Sequence, residues 1–215
     1  MLKTAKFTFN LFAENTYVLW DDKTGETAVI DPGCQEPGER QQLKEFIDGR
    51  KLKLKFLINT HCHLDHILGC RFIKENYEVD YYVPEHDVVL LDNAEVQGAG
   101  FGIEVSGVPK PDKLIDENSE LKLGDITMRF LFTPGHTPGE YCIYFNDEKL
   151  CITGDVLFKE SIGRTDLWGG SYDLLLDSIK NKLLALDDDV EIYPGHGPAS
   201  TIGDERRYNP FLQDI

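Results

Sequence analysis

The chain has 215 residues, of which 41% are hydrophobic and 28% charged, values typical of a globular protein. We therefore predict one domain that covers residues 1–215. The formal charge of −16 would repel nucleic acid and anionic membrane surfaces, so we expect neither as a partner. No apolar run approaches the roughly 20 residues that a membrane span requires.

The N-terminus and the cysteines favour the cytoplasm. Residues 1–10 lack both a continuous apolar stretch and a small-residue cleavage site, so they do not resemble a signal peptide. The five cysteines form no Cys-x-x-Cys pair, and their odd number argues against a disulfide framework. We expect a reducing compartment.

The first half of the chain predicts strands followed by alternating helices and strands. Helices are expected at Pro37–Lys51, Asp65–Asn76 and Glu85–Gln97. Strands are expected at Ala5–Leu11, Thr16–Asp21, Glu26–Asp31, Lys53–Asn59 and Val79–Val83. Residues 98–111 are rich in Gly and Pro and are interpreted as an ordered connection such as a lid.

The second half repeats this architecture. Strands are predicted at Glu120–Leu123, Ile126–Thr133, Tyr141–Asn146, Leu150–Thr153 and Val190–Ile192, with a long helix at Ser171–Leu186. Two β-rich halves, each followed by helices, indicate two facing sheets with helices outside. The predicted fold is a mixed α and β, four-layer αββα sandwich.

The strongest motif lies between a predicted strand and a predicted helix. His61, His63, Asp65 and His66 place four metal-ligand types within six residues. Imidazole nitrogen and carboxylate oxygen suit divalent zinc, iron or manganese. Taken alone, Asp65 would be interpreted as a helix N-cap, but three of the six histidines clustered here make coincidence a poor explanation.

Three further candidates each follow a predicted strand. They are His136, Asp155 and His196, flanked by glycine and, around the two histidines, also by proline. The alternative interpretation is that each is a turn residue, which is more credible for Asp155 than for the histidines.

The His-x-His-x-Asp-His run, the isolated His, the Gly-Asp and the final Gly-His-Gly together resemble the metallo-β-lactamase superfamily along essentially the whole chain. The resemblance implies two divalent metal ions, with zinc expected and iron or manganese as alternatives. It implies one metal on His61, His63 and His136, a second on Asp65, His66 and His196, and Asp155 as a bridge. Asp65 and Asp155 are therefore also expected to act in the reaction. A water shared by two cations is a nucleophile at neutral pH.

Four segments resemble the glyoxalase II branch, namely residues 13–19, 31–33, 133–139 and 163–170. This resemblance implies hydrolysis of S-acyl-glutathione or a related thioester, a small-molecule substrate. The classical enzyme carries a C-terminal helical domain, whereas this chain ends at Ile215, so it is most similar to the short, single-domain hydrolases. Arg164 is a candidate for binding a substrate carboxylate; the alternative is a salt bridge with Asp166.

Two other functions are weighed against the hydrolase. The His-Cys-His and Gly-Arg-Thr-Asp segments also resemble those of mononuclear iron persulfide dioxygenases of the same fold. Such an enzyme would use only His61, His63, His136 and Asp155 as ligands. Against it, Pro138 and Gly139 stand where such dioxygenases have Asp-Gly. A purely structural metal module is disfavoured because structural zinc is closed by four ligands, usually with cysteine. Cys62, inside the motif, is predicted as neither ligand nor nucleophile, because a thiolate is unnecessary when the metals generate hydroxide.

Overall fold

A computed structural model describes residues 1–105 and 107–213. The chain divides into two compact units, Met1–Ile115 with Lys122–Ile126, and Asp116–Leu121 with Thr127–Ile215. No helix in the described ranges is both long and apolar enough to cross a membrane.

The first unit holds a six-stranded sheet, whose strands lie side by side in chain order. The first three strands pair antiparallel, and the pairs from the third to the sixth are parallel. The strands are β1 (Leu2–Phe9), β2 (Glu14–Asp21), β3 (Glu26–Ile30), β4 (Lys53–Ile58), β5 (Asp80–Pro84) and β6 (Lys113–Ile115). A parallel sheet needs crossover connections, and helices supply them here.

Helix α1 (Pro37–Gly49) follows β3, and its apolar positions give it one buried face. Pro37 starts it, since a first-turn proline loses no helical hydrogen bond. Leu43 and Ile47 are fully buried in the core of this unit, together with residues of β2, β3 and β4. The sequence predicted this helix, although it ends two residues earlier than expected.

The predicted helix Asp65–Asn76 is two helices, α2 (Leu64–Ile67) and α3 (Cys70–Asn76). The break is at Gly69, whose N–H donates to the carbonyl of Pro32 at 2.7 Å instead of to the carbonyl four residues earlier. That carbonyl, of Asp65, accepts from Asn10 Nδ2 at 3.0 Å. A Cβ on Gly69 would also meet Cys34 Sγ at 2.5 Å, so only glycine fits here.

The region predicted as one helix at Glu85–Gln97 is a 3₁₀ turn followed by α4 (Val88–Asp92) and α5 (Ala94–Phe101). The prediction of a connection starting at residue 98 is wrong in its first part, because α5 continues to Phe101. Ser106, also within that predicted connection, lies outside the described residues.

The second sheet has the order β14, β13, β10, β9, β8, β7. Its strands are β7 (Glu120–Leu123), β8 (Ile126–Phe132), β9 (Tyr141–Phe145), β10 (Leu150–Gly154), β13 (Glu191–Pro194) and β14 (Ser200–Thr201). A separate hairpin, β11 (Leu157–Phe158) with β12 (Ser161–Ile162), was not predicted. The central strands β9 and β10 are buried along their whole length, which explains their nearly continuous apolar sequences.

The second unit has two short helices. Helix α6 (Tyr172–Ser178) starts at Ser171, whose side chain accepts from Leu174 N, and continues as a π-helical stretch over Ile179–Leu183. These two segments correspond to the predicted helix Ser171–Leu186, which ends three residues earlier than expected. Helix α7 (Ile202–Tyr208) follows β14 and starts at Thr201. Leu175, Ile179 and Leu183 are fully buried in the core of this unit.

Candidate metal centre

In the first unit, the loop after β4 brings the predicted ligands together. His61 and His66 are fully buried, with ring centroids 4.1 Å apart, and the His61 and His63 centroids are 5.0 Å apart. Asp65 Oδ2 lies 3.7 Å from His66 Nε2. The four side chains of the motif therefore form a single cluster.

Asp31 joins this cluster, although the sequence predicted it only as the end of a strand. One donor atom from each of Asp31, His61 and His66 lies within 4.8 Å of the others. Asp31 Oδ2 is 3.2 Å from His66 Nδ1 and accepts from Thr60 Oγ1 at 2.6 Å. Its Oδ1 accepts from Thr60 N at 2.8 Å and from Asn59 Nδ2 at 3.1 Å.

The contact with Asp31 bears on the protonation of His66. A carboxylate only accepts, so a hydrogen on Nδ1 of His66 would face Asp31, and the lone pair of the neutral ring would then lie at Nε2. Nε2 is the nitrogen near Asp65 Oδ2. Asp31 therefore lies beside Nδ1 of the His66 ring and Asp65 beside Nε2.

Side chains distant in sequence also hold the backbone of the ligand loop. Asn10 Nδ2 donates to the carbonyls of Asp65 and Gly33, both at 3.0 Å. Gln97 accepts from Leu64 N at 3.0 Å and donates to the carbonyl of Cys62 at 3.1 Å. The backbone of the ligand loop is therefore held from two sides, by the β1–β2 turn and by α5.

A buried acid, Glu14, lies beside this cluster. Its side chain accepts from Thr16 Oγ1 at 2.9 Å, and a Cβ on Gly33 would overlap its Oε2. Burial raises the pKa of Glu14 well above its ordinary value. The glycine of the Asp-Pro-Gly segment is therefore required by close packing.

In the second unit, Asp155 lies between two predicted histidine ligands. Its Oδ2 is 3.5 Å from His136 Nε2 and 3.5 Å from His196 Nε2. His136 follows β8, Asp155 follows β10 and His196 follows β13. Because β8, β9, β10 and β13 are neighbours in one sheet, these strand ends bring the three side chains together.

In the second unit, a backbone carbonyl fixes the tautomer of His136. His136 Nδ1 is 2.7 Å from the carbonyl oxygen of Arg164, which can only accept, so Nδ1 carries the hydrogen and Nε2 the lone pair. Asp155 N donates to Oε1 of the fully buried Glu140 at 2.7 Å. A Cβ on Gly163 would overlap the carbonyl oxygen of Asp155.

These donors fit divalent metal ions. Two ligands that bind one tetrahedral zinc at about 2.1 Å are about 3.4 Å apart. The two separations of 3.5 Å around Asp155 Oδ2 match this value. The neutral histidines with Nε2 lone pairs and the carboxylates form the nitrogen and oxygen set that zinc, iron or manganese accepts.

The remaining candidates differ in their surroundings. Arg164 forms a bidentate salt bridge, with Nε to Asp166 Oδ1 at 2.7 Å and Nη2 to Asp166 Oδ2 at 2.8 Å, which is the alternative weighed above. Its substrate-binding role stays a prediction. Cys62 is fully buried, and desolvation raises its thiol pKa, in line with its exclusion as a ligand.

The sequence analysis missed Asp31, Asn10, Gln97 and Glu140. For Asp31 a signal was present, because an Asp-Pro-Gly directly after a buried strand places a carboxylate at the sheet edge where the histidine motif also lies. No local pattern distinguishes Asn10, Gln97 or Glu140 from ordinary polar surface residues.

Known proteins resemble the whole chain. A family model described as the metallo-beta-lactamase superfamily matches residues 10–196. Hydroxyacylglutathione hydrolase GloC of Haemophilus influenzae is 40% identical over 203 residues, which are 94% of this chain and 93% of that protein.

Two solved structures are similar in fold. That of BLEG-1 B3 metallo-beta-lactamase has a TM-score of 0.90 and 33% identity, covering 98% of this chain and 100% of that one. That of TTHA1623 in a di-iron-bound form has a TM-score of 0.87 and 31% identity, covering 97% and 100%. The predicted fold class is confirmed. Because the family model and the relatives span nearly all of it, this chain is a metallo-hydrolase of the metallo-β-lactamase superfamily.

Proposed function

We propose that the protein is a dinuclear thioester hydrolase that cleaves S-acyl-glutathione or a related small thioester. One metal would be held by His61, His63 and His136, and the second by Asp65, His66 and His196. Asp155 would bridge them. The observation that carries this proposal is Oδ2 of Asp155, which is equally distant from two histidine nitrogens that the scheme assigns to different metals.

The residues of the chain have distinct tasks in this scheme. The Arg164 carbonyl fixes the tautomer of His136, so that ring offers Nε2, and Asp31 would favour the same tautomer of His66 from 3.2 Å. Glu140 holds the backbone at Asp155, which limits the freedom of the bridging carboxylate. When bound, two divalent cations lower the pKa of a coordinated water and polarise a carbonyl oxygen. Asp65 and Asp155 would also have carboxylate oxygens close to the attacking water. These oxygens would orient the water and accept its proton.

The thioester class is supported by the relative named as a hydroxyacylglutathione hydrolase, whose identity of 40% extends over nearly the whole chain. A thioester carbonyl suits this chemistry because a thiolate leaves readily. Zinc is the proposed metal, with iron or manganese as alternatives, and the di-iron form of a similar structure supports keeping iron among them.

We further propose that both units form one catalytic domain acting in the cytoplasm, without nucleic-acid or membrane partners. The charge of −16 supports the exclusion of anionic polymers. The five cysteines, all buried as thiols, support a reducing compartment.

The test combines metal analysis with thioester hydrolysis on the purified protein. We expect two metals per chain, loss of thiol release after chelation, and recovery with zinc or manganese. His196→Ala should lower the metal content toward one and reduce kcat/KM by at least about 100-fold. His136→Ala should do the same. His86→Ala, at an exposed histidine, is the matched control and should leave both values unchanged.

Two outcomes would contradict the proposal. Thiol release that survives exhaustive chelation would exclude metal catalysis altogether. A His196→Ala variant that keeps one iron and consumes oxygen with a persulfide at the rate of the unmodified protein would establish the mononuclear dioxygenase instead.

A further inference from the structure

Two aromatic side chains meet at the surface of the first unit. The rings of Phe12, in the β1–β2 turn, and Phe101, at the end of α5, make an edge-to-face contact with centroids 5.1 Å apart. Phe101 is 53% exposed, and Leu11, beside Phe12 in the chain, is 73% exposed. Single exposed apolar residues are common, whereas apolar side chains brought together from separate elements can form a binding surface. We call these three residues the apolar wall.

The apolar wall lies at the edge of the sheet that carries the histidine motif. Strand β2 is antiparallel to β3, and its Tyr17 pairs with Ile30, the last residue of β3. The β1–β2 turn therefore lies at the carboxyl ends of the parallel strands β3 and β4, directly before Asp31 and the histidine loop in the chain. Ligands of open α/β sheets bind outside the carboxyl ends of the strands.

Both elements of the wall are hydrogen-bonded to the histidine loop. In the β1–β2 turn, Asn10 Nδ2 donates to the carbonyl of Asp65 at 3.0 Å. In α5, Gln97 Nε2 donates to the carbonyl of Cys62 at 3.1 Å. Phe101 follows Gln97 by four residues, and residues four apart lie on the same face of a helix. Phe101 is therefore on the face of α5 that meets the loop.

The chain around the wall is acidic. Residues 9–16 and 92–105 hold no lysine, arginine or histidine, whereas Asp92, Glu95 and Glu104 are exposed there. An anionic group of a ligand is repelled by such a surface. An uncharged aliphatic chain is not repelled, and it gains free energy by leaving water for the apolar side chains.

We infer that the apolar wall binds the acyl group of the thioester and makes the enzyme selective for uncharged aliphatic acyl chains. The inference rests on the proposed thioester hydrolysis and assigns one part of its substrate. The thiol part, which is anionic in glutathione, is directed away from the acidic segments. Because the wall is a surface and not an enclosed pocket, acyl chains of several carbons fit against it.

The expected selectivity follows from the area that an acyl chain buries. Complete burial of one methylene group strengthens binding about fourfold, and contact on one side buries about half of its surface, which gives about twofold. A hexanoyl group is longer than an acetyl group by four methylene groups. We therefore expect at least about a tenfold difference between the two thioesters.

The experiment compares acetyl and hexanoyl thioesters of one neutral thiol, N-acetylcysteamine, as substrates of the metal-containing full-length protein. We expect a kcat/KM for the hexanoyl thioester that is at least about tenfold higher, with the difference mainly in KM. Phe101→Ser and Phe12→Ser should each reduce this ratio to below about threefold while the metal content is retained. Phe101→Leu keeps an apolar side chain and should keep most of the ratio.

Val96→Ser is the matched control. Val96 is 70% exposed on the same helix, but it lies about 140° around the helix axis from Phe101. Its substitution should leave the ratio unchanged. A second measurement does not depend on turnover: the hexyl thioether of N-acetylcysteamine, which cannot be hydrolysed, should shift the amide resonances of Leu11 and Phe101 more than that of Val96. The methyl thioether at the same concentration should shift none of them.

The outcomes separate this inference from the proposed function. Equal kcat/KM for the two thioesters, or an unchanged ratio in both Phe101→Ser and Phe12→Ser, would overturn the inference and leave the hydrolase proposal standing. Cleavage of neither thioester would contradict the proposed function and the inference with it. A dimer in solution that becomes a monomer in Phe101→Ser would mean that a second copy of the chain covers the wall, which also overturns the inference.

Discussion

His66 Nδ1 lies 3.2 Å from Oδ2 of Asp31, so a carboxylate outside the histidine motif faces the side of the ring opposite to Asp65. Asp31→Asn should therefore weaken metal retention about 10- to 100-fold, because the amide cannot offer two carboxylate oxygens to Thr60 and His66. Asp31 has a φ of 49°, a conformation that asparagine also tolerates, so the backbone should be kept. Metal content after dialysis against a graded chelator series measures the effect.

Asp22→Asn is the control for that experiment, because Asp22 is exposed and lies in the same unit. It should retain metal as the unmodified protein does. Equal retention by Asp31→Asn and Asp22→Asn would mean that Asp31 does not position His66.

Gly163→Ala should destabilise the second unit and disable the site. A Cβ at this position would overlap the carbonyl oxygen of Asp155, and relieving that overlap moves the backbone that carries the carboxylate. We expect a loss of about 1–3 kcal/mol in the free energy of unfolding and a fall in kcat/KM. Gly100→Ala, in helix α5 with no atom within 4 Å of its Cβ, should instead be neutral or stabilising by up to about 1 kcal/mol. Indistinguishable unfolding curves for the two variants would contradict the close approach.

Tyr81→Phe should cost about 1–2 kcal/mol of unfolding free energy, measured by urea denaturation. The fully buried phenol donates to Asn59 Oδ1 at 2.7 Å, and burial raises the pKa of Tyr81 well above its ordinary value. Tyr208→Phe removes the hydroxyl of an exposed tyrosine and should change stability by less than about 0.5 kcal/mol. The hypothesis is rejected if both hydroxyls prove equally dispensable.

The Arg164–Asp166 pair gives a prediction in pH. Hydrogen bonds from Arg164 lower the pKa of Asp166 from 3.8 to about 2. A depressed pKa stabilises the fold above the ordinary value, and this contribution is lost as pH falls toward 2. Arg164→Gln should return the pKa of Asp166 to near 3.8. Carboxyl ¹³C shifts followed down to about pH 3 measure this: Asp166 should stay largely ionised in the unmodified protein and titrate in the variant.

The same variant tests Arg164 as a substrate-binding residue. If it binds a substrate carboxylate, KM should rise for an acidic thioester while kcat and the KM of a neutral thioester stay constant. Arg129→Gln should change neither the titration nor the kinetics. If the KM of the acidic thioester is the same in Arg164→Gln as in the unmodified protein, Arg164 forms only the salt bridge.

The sequence predicted most strands and the ligand-bearing loops, because buried strands and the His-x-His-x-Asp-His run are local patterns. It did not predict the break at Gly69, since the cause is a hydrogen bond to Pro32, far away along the chain. The end of α5 at Phe101 was missed because glycines at positions 98 and 100 obscure the helical pattern. In the fold, Gly98 packs closely on the backbone of Ile103, a contact that the local sequence does not reveal.

The sequence predicted the candidate metal ligands but not the residues that hold them in position. His61, His136 and Asp155 belong to recognisable strand-end motifs, whereas Asp31 and Glu140 act only through contacts that the fold creates. The position of Asp31 directly after a buried strand was a signal in the sequence, whereas an isolated glutamate such as Glu140 carries none.

Each predicted donor set begins where a buried strand ends and a loop starts. The strand is constrained by its neighbours on both sides, whereas the loop beyond it can lengthen or change composition at little thermodynamic cost. Chemistry and selectivity are therefore encoded in adjacent but separable stretches of chain. Proteins that descend from one ancestor can therefore keep the same reactive centre and differ in the substrates that reach it.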